Sequence, residues 1–172
     1  MRVYMITGAD LVDYHHLLPQ TARELVRVAG ATAALALLNT LPGVVMLMPK
    51  GPDNNARGAR RWARLVEVAG PEAVAALAAH CGGGVLEIPT CAQLRTEIRR
   101  AWLRKRFDVL TARPPAGCGL SRTQAVQELG VELAIAGYAM SSRGIETAID
   151  GSGPESARDA RPASRQQDLF AL

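Results

Sequence analysis

LVRVAG at residues 25–30 recurs as LVEVAG at residues 65–70, and the offset of forty residues brings much of the surrounding sequence into register. The only two tryptophans, Trp62 and Trp102, match at the same offset. Between residues 25–64 and 65–104, 14 of 40 positions are identical without a gap. Such a match indicates one supersecondary unit used twice. A tandem unit is more typical of a protein that positions a partner than of one with an asymmetric catalytic pocket.

Each copy has the pattern of a helix, a short strand and a second helix. The strands read VVMLMP at residues 44–49 and VLEIP at residues 85–89, and the proline ends each of them. A strand this short needs a partner, so we expect the two strands to pair antiparallel. The sequence predicts a mainly α fold with a short two-stranded antiparallel β element. It is divided into an N-terminal segment, a first repeat and a second repeat, at residues 1–20, 21–64 and 65–110.

Positive charge is concentrated in one part of the chain. The whole sequence carries +4 with a pI near 9.3, whereas residues 91–122 hold eight Lys or Arg against two acidic residues, a net +6. A local positive field of this kind attracts polyanions such as DNA. Arg104, Lys105 and Arg106 are the predicted DNA contacts on the helix within this stretch. The alternative interpretation is an ordinary solvated helix face.

The segment after the second repeat predicts a DNA-binding helix-turn-helix. A loop at residues 111–120, with Pro114, Pro115 and Gly117, is followed by three short helical patterns. Ser121 and Ser141 are placed to cap helices, and Gly130 is expected to break the first one. The predicted domain covers residues 121–150 as a homeodomain-like three-helix unit, whose last helix enters the major groove.

Side-chain chemistry identifies the last helix, residues 142–149, as the one that reads bases. Arg143 has the geometry to bond guanine bidentately, Glu146 to accept from a cytosine amino group, and Thr147 to contact a thymine methyl. Phosphate contacts that set the register are expected from Ser141, Ser142 and Arg122.

Several of these motifs together resemble the Mor/C family of middle and late transcription activators from Mu-like phages. They are GGGVLEIP at residues 82–89, the basic helix with Trp102, and the segment from ELA to YAMSSRGIE at residues 132–146. The resemblance implies a helical dimerisation region with a Gly-Gly turn and a strand ending in Ile-Pro, followed by a promoter-binding helix-turn-helix. It covers residues 65–149, and residues 25–65 a second time for the dimerisation unit. A chain that carries this unit twice is expected to pair the strands within itself as a pseudo-dimer.

The last residues, 151–172, lack periodicity and predict a disordered tail that ends in a docking peptide. QQDLF at residues 166–170 looks like the bacterial sliding-clamp binding motif. That resemblance implies that Gln166, Asp168, Leu169 and Phe170 bind the clamp. A chance match, or a tail that folds back on its own domain, is the alternative.

No residue pattern predicts catalysis, a cofactor or a metal site, so we expect no enzyme. The leading hypothesis is a sequence-specific transcription regulator, most simply an activator, of phage or prophage origin. Its expected partners are double-stranded DNA, RNA polymerase and a second copy in a homodimer, with no membrane association. We expect it in the cytoplasm of a bacterial host cell, associated with the nucleoid. The alternatives are a sliding-clamp adaptor that modulates replication or repair, and a non-specific structural DNA binder.

Overall fold

A computed structural model of the chain describes residues 5–53 and 55–151. Eight α-helices, one 3-10 turn and two strands follow one another in this part of the chain. The helices are α1 (Gly8–Asp13), α2 (Gln20–Ala29), α3 (Ala31–Thr40), α4 (Ala56–Ala69), α5 (Pro71–Cys81), α6 (Ala92–Thr111), α7 (Arg122–Ile135) and α8 (Ser142–Asp150), with the 3-10 turn at His15–Leu17. The strands are β1 (Val45–Leu47) and β2 (Val85–Glu87). The predicted mainly helical class with a two-stranded antiparallel sheet is confirmed. No helix within the described residues combines the length and the apolar character that crossing a bilayer requires.

The described residues form two compact units whose boundary falls inside α6. The N-terminal unit runs to Ile98, and the C-terminal unit begins at Arg99. Each unit is considered separately below.

The N-terminal unit contains the same helix-to-helix corner twice. Gly30 separates α2 from α3 with φ 81° and ψ 158°, and Gly70 separates α4 from α5 with φ 86° and ψ 157°. Only glycine adopts this region of backbone space at low cost. The helix junctions are therefore alike at two positions forty residues apart, which is the offset of the repeated sequence.

The packing of helices α2 to α5 is also alike in the two halves of the N-terminal unit. Helix α2 contacts α3 and α5, and helix α4 also contacts α3 and α5. Leu25 and Leu65 are buried at matched positions of α2 and α4, as are Leu37 and Leu77 in α3 and α5. The core that they share also includes Ala22, Ala34, Leu38, Met48, Val74, Ile88 and Leu94.

The two strands form an antiparallel ribbon centred on Met46 and Leu86, which pair with each other. The flanking backbone bonds are also matched, because Gly43 N donates to the carbonyl oxygen of Ile88 and Gly83 N to that of Met48, both over 2.8 Å. Leu86 is buried against the helices, and Met46 is partly buried there. Successive side chains of a strand point to opposite faces, so the residues before and after Met46 and Leu86 point toward solvent.

Candidate nucleic-acid interface

The C-terminal unit consists of the second part of α6, then α7 and α8. Ser121 begins α7 with a capping box, in which its Oγ accepts from Gln124 N and the Gln124 Oε1 accepts from Ser121 N. Helices α7 and α8 pack on each other. Buried side chains from all three helices form the core, and they are Leu103, Leu110, Ala125, Val126, Leu129, Leu133, Ile145 and Ala148.

The prediction that Gly130 breaks a helix is wrong, because α7 continues through it from Arg122 to Ile135. A glycine inside a helix costs about 1 kcal/mol relative to alanine. Leu129 and Leu133 on either side are fully buried, and burying a leucine contributes about 1.5–3 kcal/mol. Packing therefore outweighs the local preference, and residues 121–150 contain two helices in place of the predicted three.

Replacing Gly130 by alanine is expected to stabilise the C-terminal unit. A β-carbon there would lie 3.7 Å from Ile145 Cδ1, an ordinary contact, so the helix gains propensity without a clash. We expect Gly130→Ala to raise the free energy of unfolding by about 0.5–1 kcal/mol. Urea unfolding followed through Trp102, in a Trp62→Phe background, measures the change.

Gly137→Ala is the matched control for this prediction. Its β-carbon also has open space, but the residue lies at φ 84°, where alanine costs about 1–2 kcal/mol. We expect this variant to lower the urea midpoint, and a lower midpoint for Gly130→Ala as well would contradict the packing described for α7.

The turn between α7 and α8 is tight because Gly137 adopts this left-handed conformation. Gly137 N donates to the Ala134 carbonyl over 3.0 Å, and Tyr138 N donates to the Leu133 carbonyl over 2.9 Å. This pair of bonds is the Schellman motif, which satisfies the last carbonyls of a helix while reversing the chain. The Arg99 guanidinium stacks on the Tyr138 ring, 5.3 Å from its centroid, and so ties the turn to α6.

Helix α8 has one buried face and one exposed polar face. Ile145 and Ala148 are buried against the unit, with 1% and 6% exposure. Ser142, Arg143, Glu146 and Thr147 are all exposed. The four predicted base and phosphate contacts of this helix therefore lie together on its solvent side.

Two hydroxyl groups at this surface are already engaged. Ser141 Oγ accepts from Gly144 N over 3.2 Å, which caps α8 as predicted. Thr147 Oγ1 donates to the carbonyl oxygen of Arg143 over 2.8 Å. The bond holds the Thr147 hydroxyl against the helix backbone.

Two of the arginines that were predicted to contact DNA bind carboxylates of the same unit. Arg106 forms a bidentate pair with Glu132 of α7, with Nε to Oε2 at 2.9 Å and Nη2 to Oε1 at 2.6 Å. Arg122 binds Asp150, the last residue of α8, at 2.8 Å and stacks on the Phe107 ring with 5.7 Å to its centroid. The carboxylate partner raises the pKa of each guanidinium. Both arginines thus connect helices, and sequence reasoning missed the roles of Glu132 and Asp150.

The other basic residues of residues 91–122 differ in exposure and in their contacts. Lys105 is exposed on α6, whereas Arg104 is partly buried and its guanidinium lies beside Gly151, which follows α8. At the other end of the basic stretch, in the N-terminal unit, Arg95 donates to the carbonyl oxygens of Thr90 and Leu38. Part of the positive run is therefore used for packing. The predicted docking residues Gln166, Asp168, Leu169 and Phe170 lie outside the described residues.

Within residues 5–53 and 55–151, no group of three His, Cys, Asp or Glu side chains is placed to hold a metal ion. Compared with protein-family models, curated proteins and solved structures, the chain matches none of them.

Proposed function

We propose that the protein is a sequence-specific DNA-binding transcription regulator, an activator of phage or prophage origin, and not an enzyme. The observation that carries the proposal is the surface of α8. Four polar side chains are exposed on a short capped helix whose other face is buried, and a tight turn joins it to α7. A helix-turn-helix presents its second helix to the major groove in this way.

The contacts of α8 suggest a role for each exposed side chain. Arg143 is exposed and would bond the O6 and N7 atoms of guanine, while Glu146 would accept from the amino group of cytosine. Because the Thr147 hydroxyl is bound to its own helix, its methyl group is the part that would face a thymine methyl. Ser142 and Lys105 are exposed and would bind phosphates. At Arg106 and Arg122, phosphate binding would require an exchange of partners with Glu132 and Asp150.

Selection of bound fragments from random DNA tests the proposal with the full chain. We expect enrichment of one motif that contains guanine and cytosine within a single half-site, since Arg143 and Glu146 lie one turn apart on the helix. Recovery of unrelated sequences, with affinity governed by salt alone, would favour the non-specific structural DNA binder.

A second part of the proposal concerns the repeat. It is supported by the similar helix junctions at Gly30 and Gly70 and by the antiparallel pairing of β1 with β2. We propose that residues 21–64 and 65–110 are copies of one unit that, in a Mor/C-like protein, would come from two chains. The chain then holds a pseudo-dimeric platform but a single helix-turn-helix. A homodimer would supply two, and a second half-site contributes strongly to the affinity of such proteins for DNA.

The remaining proposed partners are RNA polymerase and the bacterial sliding clamp, which would place the protein at the nucleoid in the cytoplasm. QQDLF at residues 166–170 supports the clamp-adaptor alternative. Clamp pull-downs with the wild-type chain and with Leu169→Ala/Phe170→Ala separate the two functions. Capture that is lost in the variant supports the adaptor, and equal recovery of both chains counts against it.

A further inference from the structure

The outward face of the ribbon is unusually apolar for a surface strand pair. The register places Val45 beside Glu87 in one row and Leu47 beside Val85 in the next. These four residues, which we call the ribbon face, form a square with an apolar side chain at three corners. Val45, Leu47 and Val85 are 63%, 57% and 62% exposed. Contiguous apolar surface of this kind marks an interaction site.

Side chains of opposite charge lie next to the two strands of the ribbon face. On the β2 side, Glu24 of α2 lines a shallow groove of about 290 Å³ together with Val85 and Glu87. On the β1 side, Arg61 of α4 donates from Nη1 to the carbonyl oxygen of Leu47 over 3.2 Å. Arg64 lies one turn further along α4 and is exposed. The negative charge of Glu87 therefore lies at one corner of the ribbon face, and the positive charge of Arg61 lies beside Leu47 at the diagonally opposite corner.

We propose that the ribbon face is the contact surface for a second copy of this chain. Consider a two-fold axis in the plane of contact along the diagonal from Val45 to Val85. It places each valine on the same valine of the other chain. The same rotation places Glu87 of each chain on the Leu47 corner of the other, beside its Arg61. One symmetry operation thus buries the apolar corners and forms two equivalent ion pairs.

The ribbon face is self-complementary only because β1 and β2 carry different side chains at matched positions. Glu87 occupies the position that Leu47 has in the first strand, and Arg61 and Arg64 occupy the positions that Thr21 and Glu24 have in α2, at the forty-residue offset. An isologous contact uses one patch twice, so acid and base must both lie on it at mirrored positions, as they do here. A stable interface buries roughly 800 Å² on each partner. The four residues of the ribbon face are too few to bury this much surface. The proposed contact therefore includes the adjoining faces of α2 and α4.

Sedimentation equilibrium of the full-length chain tests this surface. We expect a wild-type dimer, and a monomer for Val85→Asp because a carboxylate would be buried on its own copy. Glu87→Arg and Arg61→Glu should each weaken association by about tenfold or more, since each brings like charges together. The double variant Glu87→Arg/Arg61→Glu should recover most of the lost affinity. Ile135→Asp, which changes an 83% exposed residue of α7, is the control and should leave the dimer intact.

Three results would overturn the inference. They are a wild-type chain that remains monomeric, a dimer that survives Val85→Asp, or a double variant no better than the worse single one. A ribbon face that becomes reactive to solvent labels only in Leu169→Ala/Phe170→Ala would overturn the inference as well, because the chain's own tail would then be the occupant of this surface. Circular dichroism melts confirm that each variant is folded.

The inference rests on the homodimer that forms part of the proposed function, and it does not depend on DNA being the ligand. A wild-type chain that is monomeric yet selects a half-site motif, or a dimer that survives Val85→Asp, would reject this surface alone, and a dimer that selects no DNA motif would reject the proposed function alone.

Discussion

Arg143→Ala is expected to abolish the footprint of the protein on its selected DNA site. Removing a bidentate contact to guanine weakens specific binding by about 1–3 kcal/mol, roughly fivefold to 150-fold. Arg143 is exposed on α8, and its backbone oxygen still accepts from Thr147 in the variant, so the fold should be retained. Footprinting and a binding titration at fixed salt measure the loss.

Arg113→Ala is the matched control, because Arg113 is an exposed arginine in the loop between α6 and α7. It removes the same charge, so it should weaken specific and non-specific DNA equally and slightly. Glu146→Ala should instead relax the preference at one cytosine position of the selected motif. A wild-type footprint from the Arg143 variant would show that α8 does not read the site.

Leu37→Ala and Leu77→Ala are each expected to destabilise the N-terminal unit severely. Both leucines are buried, with 0% and 2% exposure, at matched positions of α3 and α5. Truncating a buried leucine costs about 2–5 kcal/mol, through lost transfer energy and the cavity that remains. Because the two sites occupy matched positions, we expect losses of similar size.

Urea unfolding followed through Trp62, in a Trp102→Phe background, reports on this unit. Val12→Ala is the control within the same unit, since Val12 is 76% exposed; it should change stability by less than about 0.5 kcal/mol. If one leucine were tolerated and the other not, the two positions would not be equivalent in packing.

Local signals were sufficient for the two strands and for the helices on either side of each strand, but they did not predict α1 or α2. Pro49 and Pro89 follow the strands closely, as predicted, and Pro71 begins α5. Proline and capping residues act through fixed backbone angles and missing or added hydrogen bonds, so their effect can be read without knowing the fold. The pairing of β1 with β2 was also predictable, because a short strand without a partner is unstable.

Long-range contacts could not be read in the same way. Gly130 has a helix-breaking tendency, but its neighbours Leu129 and Leu133 are held by burial that only the folded unit provides. Arg106 and Glu132 are 26 residues apart, and Arg122 and Asp150 are 28 apart. In the sequence these arginines are indistinguishable from exposed ones. The predicted polar face of α8 succeeded because helical periodicity alone separates Ile145 from Arg143 and Glu146.

Because one polypeptide supplies both strands of the ribbon, a substitution in β1 leaves β2 unchanged. In an assembly of identical chains, every mutation would appear on both strands at once, and the leucine and the glutamate could not occupy equivalent corners. With both strands in one chain, the two matched corners can carry different side chains, as Leu47 and Glu87 do.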